Sequence, residues 1–498
     1  MLQTRHRIGL AAAALVLLFV VCHRLLETPL WSVNGARLMP SFALARGINY
    51  YVVFPPGGPL FSNLYGPLGA IVYLPATLFP SPNSAVLAGA AITVLLCFSA
   101  VAFLHFSPSN GQKAADVPAF LTACFLICFL EPLKYSCFNI HADGPGLALS
   151  AVACATIYPG RPGKWRAALP VSALCAVLTV FCKQTFVPVP LALLIYLWAA
   201  EGRARAVRYL IWLIAAGGSV TAATLLAVGP ARLYHCLIWV PAHHPWNDPS
   251  HIVSAIQAAR SFIRLSMPVP VLLLASLLYL LTSVRPRQEL RALALHRCVP
   301  VLMVGVALLP FSIAGRAKVG GDVNSLSFAL FFLTCGLTVL LADVFRGAQS
   351  SSTRRLAVSL LVATMLPLAL SEAPLALDIR ASVKRLPQAA QEVAFEYLIR
   401  HPGEAYFPWL PLSHYYAEHQ FRHYSFGIGD RLLAGEPISR ADFRAYMPRD
   451  PRIIAFAKDG APQLFGLNLM DLLPEYSYQV NDPELPGWLV YAKTSGTR

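Results

Sequence analysis

The chain has 498 residues, of which 56% are hydrophobic and only 13% are charged, and its mean hydropathy is +0.57. A soluble domain of this length has no need of so much apolar surface, so the composition predicts a membrane protein. The formal net charge is +15. No stretch of the sequence interleaves basic with aromatic residues, so nucleic acid is not the expected partner despite the positive charge.

Eleven apolar segments are long enough to cross, or nearly cross, a hydrocarbon core of about 30 Å as helices. They are 9–26, 84–106, 117–131, 144–159, 167–182, 185–200, 207–229, 267–284, 298–314, 326–345 and 356–372. Segment 67–79 is also apolar, but it is short and flanked by proline. It therefore predicts a re-entrant or interfacial helix instead of a twelfth span.

Arginine and lysine fall predominantly in every second loop. The clusters lie at residues 5–7, 113, 161–166, 203–208, 285–297 and 346–355. Basic residues in short loops are retained on the cytoplasmic side, so the pattern predicts a cytoplasmic N-terminus and an extracytoplasmic C-terminus. We therefore expect a multi-pass protein of the inner (plasma) membrane, with much of its net charge in contact with anionic lipid.

The character of the chain changes near residue 373, where charged residues become frequent. Segment 383–400 has helical spacing, and segments 404–407, 452–457 and 488–492 have the pattern of strands. The predicted fold class is an α-helical polytopic membrane protein with a small soluble α/β domain. The predicted domains are a transmembrane domain, 1–372, and an extracytoplasmic domain, 373–498.

The chain has eleven cysteines, and most of them lie in predicted spans, where a thiol acts as a small apolar side chain. Cys137 and Cys236 fall in predicted outer loops, where oxidising conditions could couple them in a disulfide. No cysteine or histidine spacing matches a zinc site.

A long outer loop follows the first span and begins at Glu27. It contains Ala45, Gly47 and Tyr50 or Tyr51, and later the run Tyr65-Gly66-Pro67-Leu68. Loops of this length are usually functional. Segment 37–45 within it predicts an amphipathic helix on the membrane surface.

Three further motifs lie on the same predicted face of the membrane. They are His141-Ala142-Asp143-Gly144-Pro145-Gly146, the run Cys182-Lys183-Gln184-Thr185, and the Gly-rich segment 315–325, which contains Arg316, Lys318, Asp322 and Asn324. Over residues 1–372 this arrangement resembles the GT-C superfamily of integral-membrane glycosyltransferases. Members of that family take a sugar from a polyprenyl-phosphate carrier, so the resemblance implies such a donor and a lipid, glycan or protein acceptor.

The resemblance also implies a site. Transfer to a hydroxyl needs a carboxylate to take the proton and cations to stabilise the leaving phosphate. Glu27 and Asp143 are the predicted catalytic carboxylates. The predicted substrate-binding residues are Asn34, Arg37, Tyr65, His141, Lys183, Gln184, Arg316, Lys318, Asp322 and Asn324.

The first loop departs from the family in one respect. Members carry Asp, or an Asp-Glu pair, soon after a tryptophan, whereas this chain has Trp31-Ser32-Val33-Asn34. Either Glu27 supplies the charge or Asn34 occupies the expected position, and an amide cannot accept a proton. A catalytically inactive subunit is therefore one alternative.

Several residues also have structural interpretations. Asp143 could cap a helix, Lys183 could extend to water from a span end, and Asp322 and Asn324 could turn the chain or hold a divalent cation such as Mg²⁺ or Mn²⁺. The segment 235–251, with His235, His243, His244, Trp246, Asp248 and His251, allows a metal site, a sugar platform or an interfacial aromatic belt. The cluster Trp409, His414, Tyr415, Tyr416, His419, His423 and Tyr424 predicts a domain core with polar tips.

Two other functions are compatible with this topology. A transporter or flippase usually shows inverted repeats and broken helices near the midplane, and this chain concentrates its polar residues at one face. A ligase that joins whole lipid-linked oligosaccharides would have a long late outer loop instead of a long first one.

Overall fold

A computed structural model describes residues 2–51, 63–107, 116–158, 167–267, 296–347, 365–375, 378–458, 462–464 and 467–493, with the single residues 269, 272, 273, 359 and 363. Nearly all of the predicted span 267–284 lies outside these residues. So do most of the basic loop residues, namely Lys113, Arg161, Lys164, Arg166, Arg285, Arg287, Arg291, Arg354 and Arg355.

The helices of the first 347 residues are mostly apolar. In chain order they are α1 (Leu2–Glu27), α2 (Val33–Ala45), α3 (Leu68–Ile71), α4 (Pro82–Phe106), α5 (Asp116–Phe129), α6 (Glu131–Phe138), α7 (Asp143–Thr156), α8 (Ala168–Cys182), α9 (Pro188–Glu201), α10 (Arg203–Val228), α11 (Pro230–Tyr234), α12 (Val240–His243), α13 (His251–Leu265), α14 (Cys298–Ala317) and α15 (Ser327–Gly347). Short 3-10 helices occupy Thr28–Leu30, Leu74–Leu78, Gln184–Phe186 and Val323–Leu326, and a π-helix occupies His235–Trp239.

The later helices are shorter and are joined by strands. They are α16 (Met365–Leu375), α17 (Ile379–Arg385), α18 (Ala390–Arg400), α19 (Pro411–Glu418), α20 (Ser425–Leu433), α21 (Arg440–Arg444) and α22 (Leu469–Leu472). The strands are β1 (Ala405–Tyr406), β2 (Ile453–Phe456), β3 (Gln463–Leu464), β4 (Leu467–Asn468), β5 (Tyr478–Val480) and β6 (Leu489–Ala492). The three predicted strands are thus confirmed. The predicted helical segment 383–400 contains the end of α17, a 3-10 helix at Leu386–Gln388 and α18.

Six helical stretches among the described residues are long and apolar enough to cross a membrane. They are Ile8–Leu30, Pro82–Phe106, Gln184–Glu201, Arg203–Val228, Cys298–Ala317 and Val323–Ala342. The predicted span 117–131 corresponds to α5, and α6 follows it after a bend of 92°. The break lies beside Pro132, because proline restricts the preceding residue and cannot continue the α5 ladder.

The chain divides into two compact units. The first unit comprises Met1–Arg24, Thr93–Ala223 and Trp246–Ile379, and the second comprises Leu25–Ile92, Thr224–Pro245 and Arg380–Arg498. The predicted domain boundary at residue 372 stays a prediction.

In the first unit, α14 and α15 pack closely because glycines lie where they meet. A methyl group added at Gly336 would lie 2.6 Å from Leu302 Cδ2, and one at Gly305 would lie 3.1 Å from the Leu333 backbone nitrogen. Small residues allow membrane helices to approach in this way. The close α14–α15 pair fixes the segment 318–326 that joins the two helices.

In the second unit, a four-stranded sheet has the order β1-β2-β6-β5. Strands β1 and β2 are parallel, and the other pairs are antiparallel, with Ile454 opposite Tyr491. Alternate residues of β2 face two different cores, with Ile453 and Ala455 on one side and Ile454 and Phe456 on the other.

Helix α2 corrects one prediction from the first loop. The helix is present, but it begins at Val33, and nine of its 13 residues are buried. The Phe42 ring packs edge-on against Tyr415 of α19, with 4.9 Å between the ring centroids. The helix therefore packs inside the second unit, and its position at the membrane surface stays a prediction.

Two further predictions concern buried side chains. Cys137 and Cys236 are both buried free thiols, so the suggested disulfide between them is wrong. His414, His423 and Tyr424 are at most 3% exposed. The aromatic and imidazole cluster of the C-terminal region therefore includes core residues, as predicted.

Candidate functional site

Asp143 is the first residue of α7 and has no exposed surface. The N-cap of this helix is Ala142, so the interpretation of Asp143 as an N-cap is wrong. The next residue, Gly144, leaves room for a neighbouring helix, because a methyl group added there would lie 2.6 Å from Thr93 Cγ2. The local sequence thus places a carboxylate where two helices of the first unit are in close contact.

Four side chains surround this carboxylate. Lys183 Nζ donates to Asp143 Oδ1 at 2.8 Å, and His141 Nδ1 lies 2.8 Å from the same oxygen. Asn324 Nδ2 donates to Oδ2 at 2.7 Å, and Ser136 Oγ donates to Oδ2 at 3.2 Å. The structure therefore brings together four residues that the sequence proposed for the site, Asp143, His141, Lys183 and Asn324.

A hydroxyl pair extends this cluster. Ser136 Oγ also lies 2.8 Å from Ser327 Oγ, and Ser327 Oγ donates to the Asn324 carbonyl at 2.6 Å. Lys183 Nζ lies 4.8 Å from the centre of the Phe328 ring. Since Lys183 is only 8% exposed, it does not extend to bulk water, and the interpretation of this residue as a lysine snorkelling from a span end is wrong.

The partners of Asp143 decide what it can do chemically. A carboxylate that accepts bonds from an ammonium, an amide and a hydroxyl is held in its charged form and is a weak base. A buried positive charge at Lys183 is in turn tolerated only because this carboxylate neutralises it. This arrangement suits Asp143 to hold Lys183 in position.

Gln184 follows Lys183 directly and begins the 3-10 helix Gln184–Phe186.

The Gly-rich segment after α14 is fixed by its own backbone. Arg316 Nη1 donates to the Gly321 carbonyl at 2.6 Å, and a methyl group added at Gly321 would collide with the Gly315 carbonyl. Asp322 Oδ1 accepts from the Val323 backbone nitrogen at 2.7 Å and so begins the 3-10 helix Val323–Leu326. This geometry favours the structural interpretation of Asp322 as a turn residue.

Lys318 lies beside an aromatic side chain. It forms an antiparallel bridge with Trp246, and Asn247 N donates to the Ala317 carbonyl at 2.9 Å. Directly opposite residues of such a bridge project to the same face, and the Trp246 ring stacks on His251 with centroids 4.5 Å apart. Burial lowers the pKa of Lys318 from its usual value.

The histidine-rich segment does not group its ligand-type side chains. Within the described ranges, no three His, Cys, Asp or Glu side chains come together so as to hold a metal ion. His235 and His243 instead stack on Trp239, with centroids 4.9 Å and 4.1 Å from its ring. The described contacts of this segment are those of an aromatic stack.

In the second unit, Glu27 and Asn34 lie near the start of the long first loop. Arg385 Nη2 donates to Glu27 Oε1 at 2.6 Å, and both side chains are partly exposed, at 45% and 32%. Asn34 is fully buried, and its Nδ2 donates to the Thr28 carbonyl at 2.9 Å. The Asn34 amide therefore stabilises the 3-10 turn that leads into α2.

The two tyrosine motifs of that loop meet in space. Tyr51 Oη donates to the Tyr65 carbonyl at 2.6 Å, and Asn63 Nδ2 donates to the same oxygen at 3.0 Å. The Tyr50 and Tyr51 rings are in contact, with centroids 4.7 Å apart. The motif residue Tyr65 therefore acts through its backbone in the described contacts.

Arg37 projects from α2 between two aromatic rings. Its guanidinium carbon lies 5.3 Å from the centre of the Trp31 ring and 5.3 Å from that of Phe426 in α20. A planar guanidinium held between rings keeps its charge and presents its edge. Tyr424, just before α20, interacts with Arg37 electrostatically and is 3% exposed.

Sequence reasoning missed several residues of these clusters. Ser136 in α6 and Ser327, the first residue of α15, carried no motif, so the sequence alone did not single them out. Phe426 and Asp430 are one turn apart in α20, a spacing that places both on one helix face. That spacing was visible in the sequence, but nothing linked it to Arg37, nearly 400 positions earlier.

Comparison with known proteins shows which solved structure has a similar fold. No protein-family model and no curated protein matches the chain. Among solved structures it is similar to the crystal structure of ArnT from Cupriavidus metallidurans in the apo state, with a TM-score of 0.56, and the match covers 99% of this chain and 98% of that one. The identity is 13%, so the likeness is one of fold. The chain therefore shares the overall fold of that structure over nearly its whole length.

Proposed function

We propose that the chain is a membrane glycosyltransferase that moves a sugar from a polyprenyl-phosphate carrier to a lipid, glycan or protein acceptor. The observation that carries the proposal is the likeness to a GT-C glycosyltransferase over 99% of the chain. The likeness includes the long first loop and the C-terminal region, so it extends beyond a shared bundle of apolar helices. The charge pattern of the loops supports an extracytoplasmic site at the outer face of the inner membrane.

Each unit contains residues suited to this chemistry. In the first unit, Lys183, Arg316 and Lys318 lie at the ends of apolar helices, where a lipid phosphate would lie. In the second unit, Arg37 offers a guanidinium held between two rings. A cation stabilises the charge that develops on a leaving phosphate, and electrostatic stabilisation of this kind commonly contributes more to catalysis than any other single effect.

Within this proposal, Asp143 positions Lys183 and keeps it charged. The catalytic role predicted for Glu27 stays a prediction, as does a direct role for Asp143 in the chemistry. The donor contacts of His141, Gln184, Tyr65, Asp322 and Asn324 are likewise predictions.

The proposal is tested by sugar transfer in proteoliposomes that contain the purified full-length chain. The probes are undecaprenyl phosphates that carry a radiolabelled pentose or hexose. They are offered together with a lipid extract from cells that lack the protein. We expect label to move from one of these donors to an extracted acceptor, and the corresponding glycolipid to lose that sugar's mass in cells without the gene. Lys183→Met should abolish the transfer.

Two outcomes would overturn the proposal. Movement of an intact labelled donor across the bilayer, without transfer, would assign a flippase. Absence of both transfer and movement, with unchanged glycolipid masses, would assign an inactive subunit.

The inactive alternative is favoured by one observation, the fully buried Asn34 at the position where the family carries a carboxylate. If it holds, Asn34→Asp should create transfer that the unaltered chain lacks.

A further inference from the structure

Helix α20 presents a carboxylate on the same face as the ring that contacts Arg37. Phe426 and Asp430 are four residues apart in this helix and so lie one above the other. The Phe426 ring centre lies 5.3 Å from the Arg37 guanidinium. Tyr424 interacts electrostatically with both Arg37 and Asp430. A cation, a phenol and a carboxylate are therefore neighbours within the second unit.

The state of the Asp430 carboxylate is unusual. Among the described residues, none donates a hydrogen bond to it, and His244 Nε2 lies 3.9 Å from Oδ1. Burial raises its pKa well above the usual value, yet 16% of the side chain is accessible. The carboxylate is therefore largely shielded from water, while part of its side chain is still accessible.

The other carboxylates considered for the chemistry lack these properties. Asp143 has no exposed surface and accepts bonds at both oxygens. Glu27 is in an ion pair with Arg385 at 2.6 Å. Asn34 cannot take a proton. A base must reach the proton that it removes and must not be stabilised as an anion by strong donors.

We propose that Asp430 is the general base of the sugar transfer, an inference that rests on the proposed function. The acceptor oxygen attacks the anomeric carbon as its O–H proton passes to the Asp430 carboxylate. The bond from the anomeric carbon to the phosphate oxygen breaks, and its electron pair leaves with the polyprenyl phosphate. Asp430, now a carboxylic acid, returns the proton to water.

The groups around Asp430 have distinct parts in this step. Arg37, 5.3 Å from the Phe426 ring centre, is assigned to stabilise the charge that develops on the phosphate. Tyr424 is buried, and burial raises its pKa, so it stays a neutral hydroxyl at physiological pH. His244 lies at the end of α12, and when charged it would favour the ionised form of Asp430. On α20 itself, Arg431 is paired with Glu436 at 3.5 Å.

The test is transfer by full-length Asp430→Asn in proteoliposomes, with the undecaprenyl-phosphate sugar that the unaltered chain uses. Removal of a general base costs about 10²–10⁴-fold in kcat. Asp430→Glu should recover part of the rate. The matched control is Asp471→Asn, the same change at an exposed position of the same unit, which should keep the full rate.

A pH profile separates a base from a structural residue. In the unaltered chain, kcat should rise with pH as Asp430 loses its proton, and the midpoint should lie above the usual carboxyl range. Asp430→Asn should lose this rise, whereas a merely misfolded variant would keep the profile at a lower amplitude.

Failures of the two proposals are distinguishable. An active unaltered chain with an undiminished Asp430→Asn variant overturns the base assignment alone, and a loss of activity in Glu27→Gln under the same conditions would return the role to Glu27. An unaltered chain that transfers none of the probe sugars overturns both proposals together.

Discussion

Two buried carboxylates of this chain are in opposite states. Asp143 in the first unit accepts from Lys183, Asn324 and Ser136 at distances of 2.8 Å, 2.7 Å and 3.2 Å. Asp430 in the second unit has no described hydrogen-bond donor and lies 3.9 Å from His244. The first arrangement stabilises charge and therefore structure, whereas the second leaves a proton-accepting oxygen available. The comparison teaches that burial alone does not indicate a catalytic carboxylate, because the hydrogen bonds decide its basicity.

The largest expected effect is on the stability of Asp143→Asn. The change leaves the Lys183 ammonium buried without its counter-charge, and breaking one side of a buried pair costs about 3–5 kcal/mol. Denaturant unfolding of the detergent-solubilised protein should show this loss. The double variant Asp143→Asn with Lys183→Met removes both charges and should recover much of it, and a single variant as stable as the unaltered chain would contradict the account.

A smaller effect is expected at Ser136, whose hydroxyl donates to Asp143 and contacts Ser327. Ser136→Ala should cost about 1.5–3 kcal/mol, because hydrogen bonds to charged groups are worth more than neutral ones. Ser150→Ala is the matched control, since its hydroxyl donates to the neutral Gly146 carbonyl at 2.8 Å. Equal losses of unfolding free energy in the two variants would show that the charge of Asp143 does not strengthen its hydrogen bond with Ser136.

The second unit is tested by Arg37→Lys, which keeps the charge but loses the planar contact with Trp31 and Phe426. Such contacts are worth about 1 kcal/mol, which corresponds to roughly a fivefold rise in the KM for the donor. Arg46→Lys is the control, because Arg46 lies over Tyr415 at 5.7 Å, away from this cluster. An unchanged KM in Arg37→Lys would remove Arg37 from the proposed phosphate contacts.

The smallest effect near neutral pH concerns the core next to α20. Burial lowers the pKa of His423 from 6.5 to about 3, and burial also lowers that of His414. In the unfolded chain these histidines gain protons as the pH falls below 6.5, but in the folded chain they do not, so stability is present above that pH and is lost progressively toward pH 3. Unfolding measured from about pH 7 downward should show this decline.

His423→Gln should flatten part of that pH dependence, whereas His419→Gln should leave it unchanged, because His419 is exposed. A decline of equal size in all three proteins would assign the acid sensitivity to other groups. The result also sets the pH range in which the Asp430 profile can be measured on a folded protein.

Much of the fold was predictable from the sequence because hydrophobic length and strand alternation are local signals. The spans at 84–106 and 298–314 and the strand at 452–457 are close to the described elements. The span predicted to end at residue 131 stops at the bend, because Glu131, Pro132 and Lys134 interrupt the apolar run there, but no local signal gave the angle of the bend. The burial of helix α2 against α19 was not predictable, because it depends on residues nearly 400 positions away.

The first-unit cluster was partly predictable, since Asp143, Lys183 and Asn324 each stood out as polar residues beside apolar helices. The sequence could not show that they meet at one carboxylate, because that depends on how the helices pack. Asp430 carried no signal at all. It lies in an ordinary amphipathic helix, and only the contact between Phe426 and Arg37 connects it with the first loop.

The most direct test compares Asp143→Asn with Asp430→Asn in one experiment, by denaturant unfolding and by transfer rate per folded molecule. We expect Asp143→Asn to lose stability, and Asp430→Asn to stay as stable as the unaltered chain or become more stable while it loses about 10²–10⁴-fold in kcat. An Asp430→Asn variant that unfolds early but keeps its transfer rate would contradict the distinction between the two carboxylates.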